Sequence, residues 1–118
     1  MADIILYGIP NCDTTRKAIQ WLQKNKFDFY FHDYKKDGIS KKKLQEWGSK
    51  LGWETILNKR STTWRELPVQ EQKKITNQQE AINVMMAHNS VIKRPVIEYK
   101  GNLLIGFNEE AYKTQLKK

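Results

Sequence analysis

The opening third of the chain constrains the fold most, because its hydrophobic period changes twice within a short span. Ile4-Ile5-Leu6-Tyr7 is a β-branched and aromatic run closed by Gly8 and Pro10, which predicts a strand. From Asp13 onward Ala18, Ile19 and Leu22 share one face, while Arg16, Lys17, Gln20, Gln23 and Lys24 face water, as in an amphipathic helix. Asn11 suits the N-cap, and Asp13 suits the positive end of the helix dipole. Phe27, Phe29 and Phe31 then alternate with Asp28, Tyr30 and His32, the period of a second strand. Two strands joined through a helix ask for parallel pairing with a right-handed crossover, so the chain opens as an α/β protein.

The middle has a different character. From Ser40 to Asn89 it is rich in Lys and Gln, with helical spacing and no convincing strand. Leu44, Trp47 and Leu51 fall on one helical face that Gly52 is placed to end. Pro68 is suited to the first turn of a short helix. Thr76 and Gln79 have capping-box spacing ahead of Ile82, Met85 and Met86, which read as core. Strand signals return at Val96-Ile97-Glu98-Tyr99 and Leu103-Leu104-Ile105, with Gly101-Asn102 as a two-residue hairpin turn. Asn108 caps a final helix, with Glu109 and Glu110 in its first turn, Lys117-Lys118 at its end, and Ala111, Tyr112 and Leu116 packing it down. The order is β-α-β, a helical insert at about 40–90, then β-β-α.

At 118 residues one domain spanning 1–118 is expected, and a chain of that size buries enough surface for an unaided core. Hydrophobic residues make up 39% and charged residues 29%, and no apolar run approaches the ~20 residues of a membrane span. No basic-then-apolar leader opens the sequence. A soluble, cytoplasmic protein without a membrane role is the expectation. The net charge of +8 comes from scattered lysines, Lys35-Lys36, Lys41-Lys42-Lys43, Lys73-Lys74 and Lys117-Lys118, none interleaved with aromatics. Solvated helix faces account for them, and no direct nucleic-acid partner is expected.

The single cysteine, Cys12, excludes an internal disulfide, a CxxC pair and a cysteine-based zinc site. It stands where the first strand stops and the first helix starts, so open N–H groups and the helix dipole favour its thiolate. A thiol of pKa near 8.5 is only about 3% ionised at pH 7; lowering it to roughly 6.5 takes about 2.7 kcal/mol and makes it mostly thiolate. Thr15 lies one turn further on and can direct its hydroxyl to sulfur, and Arg16 adds positive charge. Position alone leaves two readings of Cys12, a reactive thiol or a buried small hydrophobe. Likewise Arg94-Pro95 reads as a trans proline starting a strand, though a cis bond fits a tight entry. Arg60, in Asn58-Lys59-Arg60-Ser61-Thr62-Thr63, reads by itself as a surface arginine. His32 and His88 are far apart without a carboxylate cluster, so no metal is expected. No GxGxxG or Walker loop is present, which removes support for nucleotide chemistry.

Tyr7-Gly8-Ile9-Pro10-Asn11-Cys12-Asp13-Thr14-Thr15-Arg16-Lys17-Ala18 resembles the active-site segment of the glutathione-dependent arsenate reductase (ArsC) family, and among its branches the small YffB-type thiol reductases. The likeness continues through Phe31-His32-Asp33-Tyr34-Lys35-Lys36, Gly52-Trp53, Leu57-Asn58-Lys59-Arg60-Ser61-Thr62-Thr63 and Ile92-Lys93-Arg94-Pro95-Val96-Ile97-Glu98-Tyr99, nearly the whole chain. The resemblance implies a thioredoxin-like fold with a helical insert between its two halves, and a cis bond before Pro95. It implies Cys12 as nucleophile, Thr15 as its hydroxyl neighbour, Arg60 and Arg94 as basic groups facing the thiol, and Asn11 and Pro95 among the substrate- or glutathione-binding positions. The implied activity is that of an oxidoreductase, a thiol-disulfide reductase with glutathione as co-substrate, no permanently bound cofactor, and an oxidised thiol or oxyanion as substrate.

Two alternatives accompany this reading. Arsenate-reducing members carry a third arginine in a Gly-Arg-Pro stretch after the last strand, where this chain has Gly106-Phe107-Asn108. An arsenate dianion needs several cationic or N–H partners, so the departure favours an organic thiol substrate. The related Spx-type regulators bind RNA polymerase, and many sense oxidation through CxxC. Position 15 here is Thr, so that switch is missing, while Gly52 falls near where such regulators present their polymerase-binding surface.

Overall fold

The computed structural model describes residues 3–117. Strand β1 (Ile4–Gly8), helix α1 (Asp13–Lys24) and strand β2 (Phe29–Asp33) are followed by a single turn, α2 (Tyr34–Asp37). The middle holds α3 (Lys41–Leu51), α4 (Trp53–Ile56), α5 (Thr62–Glu66), α6 (Val69–Lys73) and α7 (Gln78–Ala87), then a 3-10 turn at Asn89–Val91. Strands β3 (Val96–Tyr99) and β4 (Asn102–Ile105) and helix α8 (Glu109–Gln115) follow. The sheet order is β2-β1-β3-β4. β1 runs parallel to β2, with Leu6 opposite Phe31, and antiparallel to β3, with Leu6 opposite Ile97. β3 and β4 form an antiparallel hairpin. This is the thioredoxin-like α/β arrangement, with the helical insert between its β-α-β and β-β-α parts.

The chain forms two compact units, one comprising residues up to Asp37 and from Arg94, the other Gly38–Lys93. In the first, Leu6, Ala18, Leu22, Ile97 and Tyr112 are fully buried, with Ile4, Trp21, Tyr99 and Leu116 around them, so α1 and α8 pack on one face of the sheet. Burying a Leu or Ile side chain contributes about 1.5–3 kcal/mol, which makes this layer the frame that holds the start of α1 at the end of β1. In the second, Leu44, Trp47, Ile56, Ile82, Met85, Val91 and Ile92 are buried, and an isolated antiparallel bridge joins Leu57 to Ile92. Among the described residues no helix is long and apolar enough to cross a membrane.

Several local expectations are corrected. The cap of α1 is Cys12 rather than Asn11. Phe27 lies outside β2; the chain turns through Lys26 at φ 60°, and the Phe27 ring stacks on Trp21 at 5.7 Å. The hairpin turn is Lys100-Gly101, not Gly101-Asn102, because Asn102 pairs with Tyr99. Both turn residues have positive φ (47° and 85°), the combination a type I′ turn requires. The α7 cap is Asn77, which accepts from Glu80 N–H at 2.9 Å, one residue later than the Thr76–Gln79 box. Met86 is 44% exposed, against the expectation of a core residue, while Met85 is buried. Pro68 is the N-cap of α6 rather than its first residue. Lys118 lies outside the described residues.

Candidate active site

The site begins with a turn. The Cys12 N–H donates to the Ile9 carbonyl at 3.1 Å, closing a β-turn whose second residue is Pro10. Proline presets φ for that position, so the chain leaves β1 and enters α1 within a few residues. The Cys12 carbonyl accepts the first helical bond, from Arg16 N–H at 2.9 Å, and Cys12 has the extended backbone of an N-cap (φ −94°, ψ 123°).

An N-cap side chain ordinarily accepts from the N–H two or three residues on. Cys12 makes no such bond as a thiol. Thr15, which supplies that N–H, is fully buried, and its hydroxyl oxygen has no hydrogen-bond partner. A buried orphan hydroxyl costs about 1–3 kcal/mol, and ionising the thiol gives both Thr15 groups an acceptor. Burial pushes the Cys12 thiol up, but the Thr15 hydroxyl, the Thr15 N–H and the Arg94 guanidinium, through hydrogen bonding and charge, outweigh it and hold the pKa below the ordinary thiol value. Cys12 itself is half-buried, within reach of a substrate. Asp13 and Arg16, both exposed, pair with each other at 2.6 Å.

Arg94 precedes Pro95 through a cis peptide bond. The Pro95 carbonyl accepts from Gly106 N–H at 2.7 Å, which ties this segment to the end of the hairpin. Arg94 also acts on a second group. Burial pushes the Tyr34 phenol well above its ordinary range, Tyr7 adds to this, Arg94 opposes it and Glu98 adds again. The Tyr7 hydroxyl donates to Glu98 Oε1 at 2.7 Å, and the Tyr7 ring lies 4.8 Å from His32. A polar cluster thus lines the sheet face opposite α1 and α8, with Arg94 acting on both the cluster and the thiol.

The first unit therefore brings together Asn11, Cys12, Thr15, Arg94 and Pro95. Arg60 belongs to the second unit, where it is exposed; its N–H donates to Asn58 Oδ1 at 3.0 Å in the turn that leads into the Ser61 cap of α5. Phe107 is half-buried, its ring edge-on to Tyr112 at 5.3 Å against the core of the first unit. Among the described residues no group of three or more His, Cys, Asp or Glu side chains is placed to hold a metal ion.

Sequence reasoning missed two features. Gly8 ends β1 in close approach to Thr15, and the signal was a glycine at the end of an otherwise apolar strand. The Tyr7–Glu98 pair was announced by a lone carboxylate inside the apolar run Val96–Tyr99.

A mixed sheet with a cysteine at the start of its first helix and a cis-proline ahead of its third strand places the chain among thioredoxin-like α/β proteins. Residues 7–115 match the ArsC family, and the chain belongs to that family. An uncharacterized protein of Haemophilus influenzae is 41% identical over 109 residues, 92% of this chain and 95% of that one. The solved structure of a YffB protein aligns with a TM-score of 0.91 at 43% identity, covering 97% of this chain and 99% of its own. More distant is the global transcriptional regulator Spx of Lactiplantibacillus plantarum, 29% identical over 109 residues, 91% of this chain and 81% of that one.

Proposed function

We propose that the protein is a glutathione-dependent thiol-disulfide reductase with Cys12 as its nucleophile. The observation that carries this reading is the setting of Cys12: a half-buried thiol at the start of α1, held below its ordinary pKa by Thr15 and Arg94. The Cys12 thiolate attacks one sulfur of an oxidised substrate. A Cys12–substrate disulfide forms, the substrate S–S bond breaks, and the leaving thiolate takes a proton from water. The chain has a single cysteine, so an external thiol must complete the cycle. A glutathione thiolate attacks the mixed disulfide at the substrate sulfur, releasing the Cys12 thiolate; a second glutathione converts the resulting glutathionyl disulfide to glutathione disulfide and free thiol. Two glutathione thiols supply the two electrons.

Arg94 is assigned to a carboxylate of glutathione or of an anionic substrate, while Asn11 and the backbone at Pro95 border the peptide; Arg60, in the second unit, is proposed as a basic binding residue on the family resemblance alone. Glutathione is a co-substrate, and no bound cofactor is required. A reducing compartment, the cytoplasm, is where such a thiol stays available.

The reading is tested with bis(2-hydroxyethyl) disulfide and glutathione, following glutathione disulfide production. Wild-type protein accelerates the reaction and the Cys12→Ser variant reduces it to the uncatalysed rate; turnover retained by that variant overturns the mechanism. Likeness to Spx supports a second reading, a regulator that binds RNA polymerase. That reading predicts polymerase subunits in a pull-down and no reductase turnover. Arsenate reduction has less support, since Phe107 stands where arsenate-reducing members carry the third arginine.

A further inference from the structure

Gly8 is the last residue of β1 and is buried. A Cβ built on it would stand 2.7 Å from Thr15 Oγ1 and 2.8 Å from Thr15 Cγ2, closer than real Cβ contacts, but 3.4 Å from Thr15 Cβ. Both heavy branches of the threonine thus face the glycine. Turning χ1 to another staggered well moves its hydrogen to one of these two positions and leaves a heavy atom in the other, so no rotamer removes the collision. Thr15 is fully buried on a helix pinned by Ala18 and Leu22, and its hydroxyl has no other partner.

We propose that Gly8 is a positioning residue for the Cys12 thiol: its missing side chain is what lets Thr15 seat its buried hydroxyl and N–H beside the sulfur. The inference deepens the reading of Cys12 as an activated nucleophile and rests on it. Any side chain at position 8 lifts the first turn of α1 from the end of β1 and takes both Thr15 donors away from sulfur. The charged groups around the cysteine are Arg94, from the segment ahead of β3, and the mutually paired Asp13 and Arg16 of α1. The three atoms nearest a Gly8 Cβ all belong to Thr15, so the effect passes through that residue.

The test is a double-mutant cycle read by the pH dependence of Cys12 alkylation with iodoacetamide, together with thermal melts. Gly8→Ala is expected to raise the midpoint by about one pH unit and to slow alkylation below the wild-type midpoint about tenfold. Thr15→Ala, which removes the hydroxyl but keeps the N–H, should shift the midpoint in the same direction and by no more than that. It also deletes both colliding atoms, so Gly8→Ala/Thr15→Ala should match Thr15→Ala within twofold and melt above Gly8→Ala. A low wild-type midpoint that Gly8→Ala leaves unmoved overturns the inference alone, as does an equal Gly8→Ala shift in the Thr15→Ala background. An ordinary wild-type midpoint overturns the activated-thiol reading and this inference with it. If Gly8→Ala does not fold but the double variant does, the Thr15 contact is upheld and Thr15→Ala carries the titration; a double variant that also fails to fold overturns the inference.

Discussion

Helix α1 starts differently from four other helices of this protein. Helices α3, α5, α7 and α8 open on Ser40, Ser61, Asn77 and Asn108, whose side chains accept from the N–H three residues on at 2.9–3.1 Å. Helix α1 opens on Cys12, which as a thiol caps nothing, with the orphan Thr15 hydroxyl buried behind it. A conventional cap is worth about 1 kcal/mol, and the buried hydroxyl costs about 1–3 kcal/mol more. The start of α1 is therefore unsatisfied while Cys12 is neutral and completed when sulfur carries charge. Capping that stabilises the fold elsewhere stabilises a thiolate here.

Replacing the sulfur breaks this contrast most completely. Cys12→Ser should lose all turnover, measured as glutathione disulfide production, yet remain folded with a serine cap like that of α3. The stability difference between wild type and this variant should depend on pH. A lowered folded-state pKa contributes stability that is fully present above the unfolded thiol value of about 8.5 and is lost as pH falls through the folded pKa. Melting temperatures across pH 5–9 should therefore show wild type gaining on Cys12→Ser as pH rises.

Arg94→Ala removes the charge rather than the cap. Turnover should fall about tenfold and the alkylation midpoint should rise, because a guanidinium–thiolate contact is charge-assisted. Asn77→Ala sharpens the comparison from the other side. It should lower stability by about 1 kcal/mol in urea unfolding and leave the Cys12 alkylation profile where it was.

The first unit was legible in the sequence because its elements are long enough to show a period: Ile4–Tyr7 and Val96–Tyr99 as strands, and Ala18 and Leu22 on the buried face of α1. In the second unit α4, α5 and α6 span four or five residues each, too few for a helical period to declare itself. Errors fell at boundaries set by backbone geometry. Lys100 adopts a positive φ that its residue type does not announce, which moved the hairpin turn by one position. The cap of α7 is Asn77, one residue past Thr76, and Met86 lies at the exposed edge of the face that buries Ile82 and Met85. The strand-to-helix junction marked Cys12 and Thr15 directly, and the X-Pro strand entry marked Arg94-Pro95, whereas the cis bond and the roles of Arg60 and Arg94 came only from family resemblance. Gly8 went unnoticed because its role is a close approach across the fold, and only coordinates give that distance.

The central claim is that the start of α1, with Thr15 and Arg94, lowers the pKa of Cys12 below that of a free thiol. It is tested most directly by the rate of Cys12 alkylation against pH, with and without glutathione disulfide. The expected result is a midpoint below 8.5 and protection by glutathione disulfide; a midpoint at the free-thiol value with no protection would contradict it.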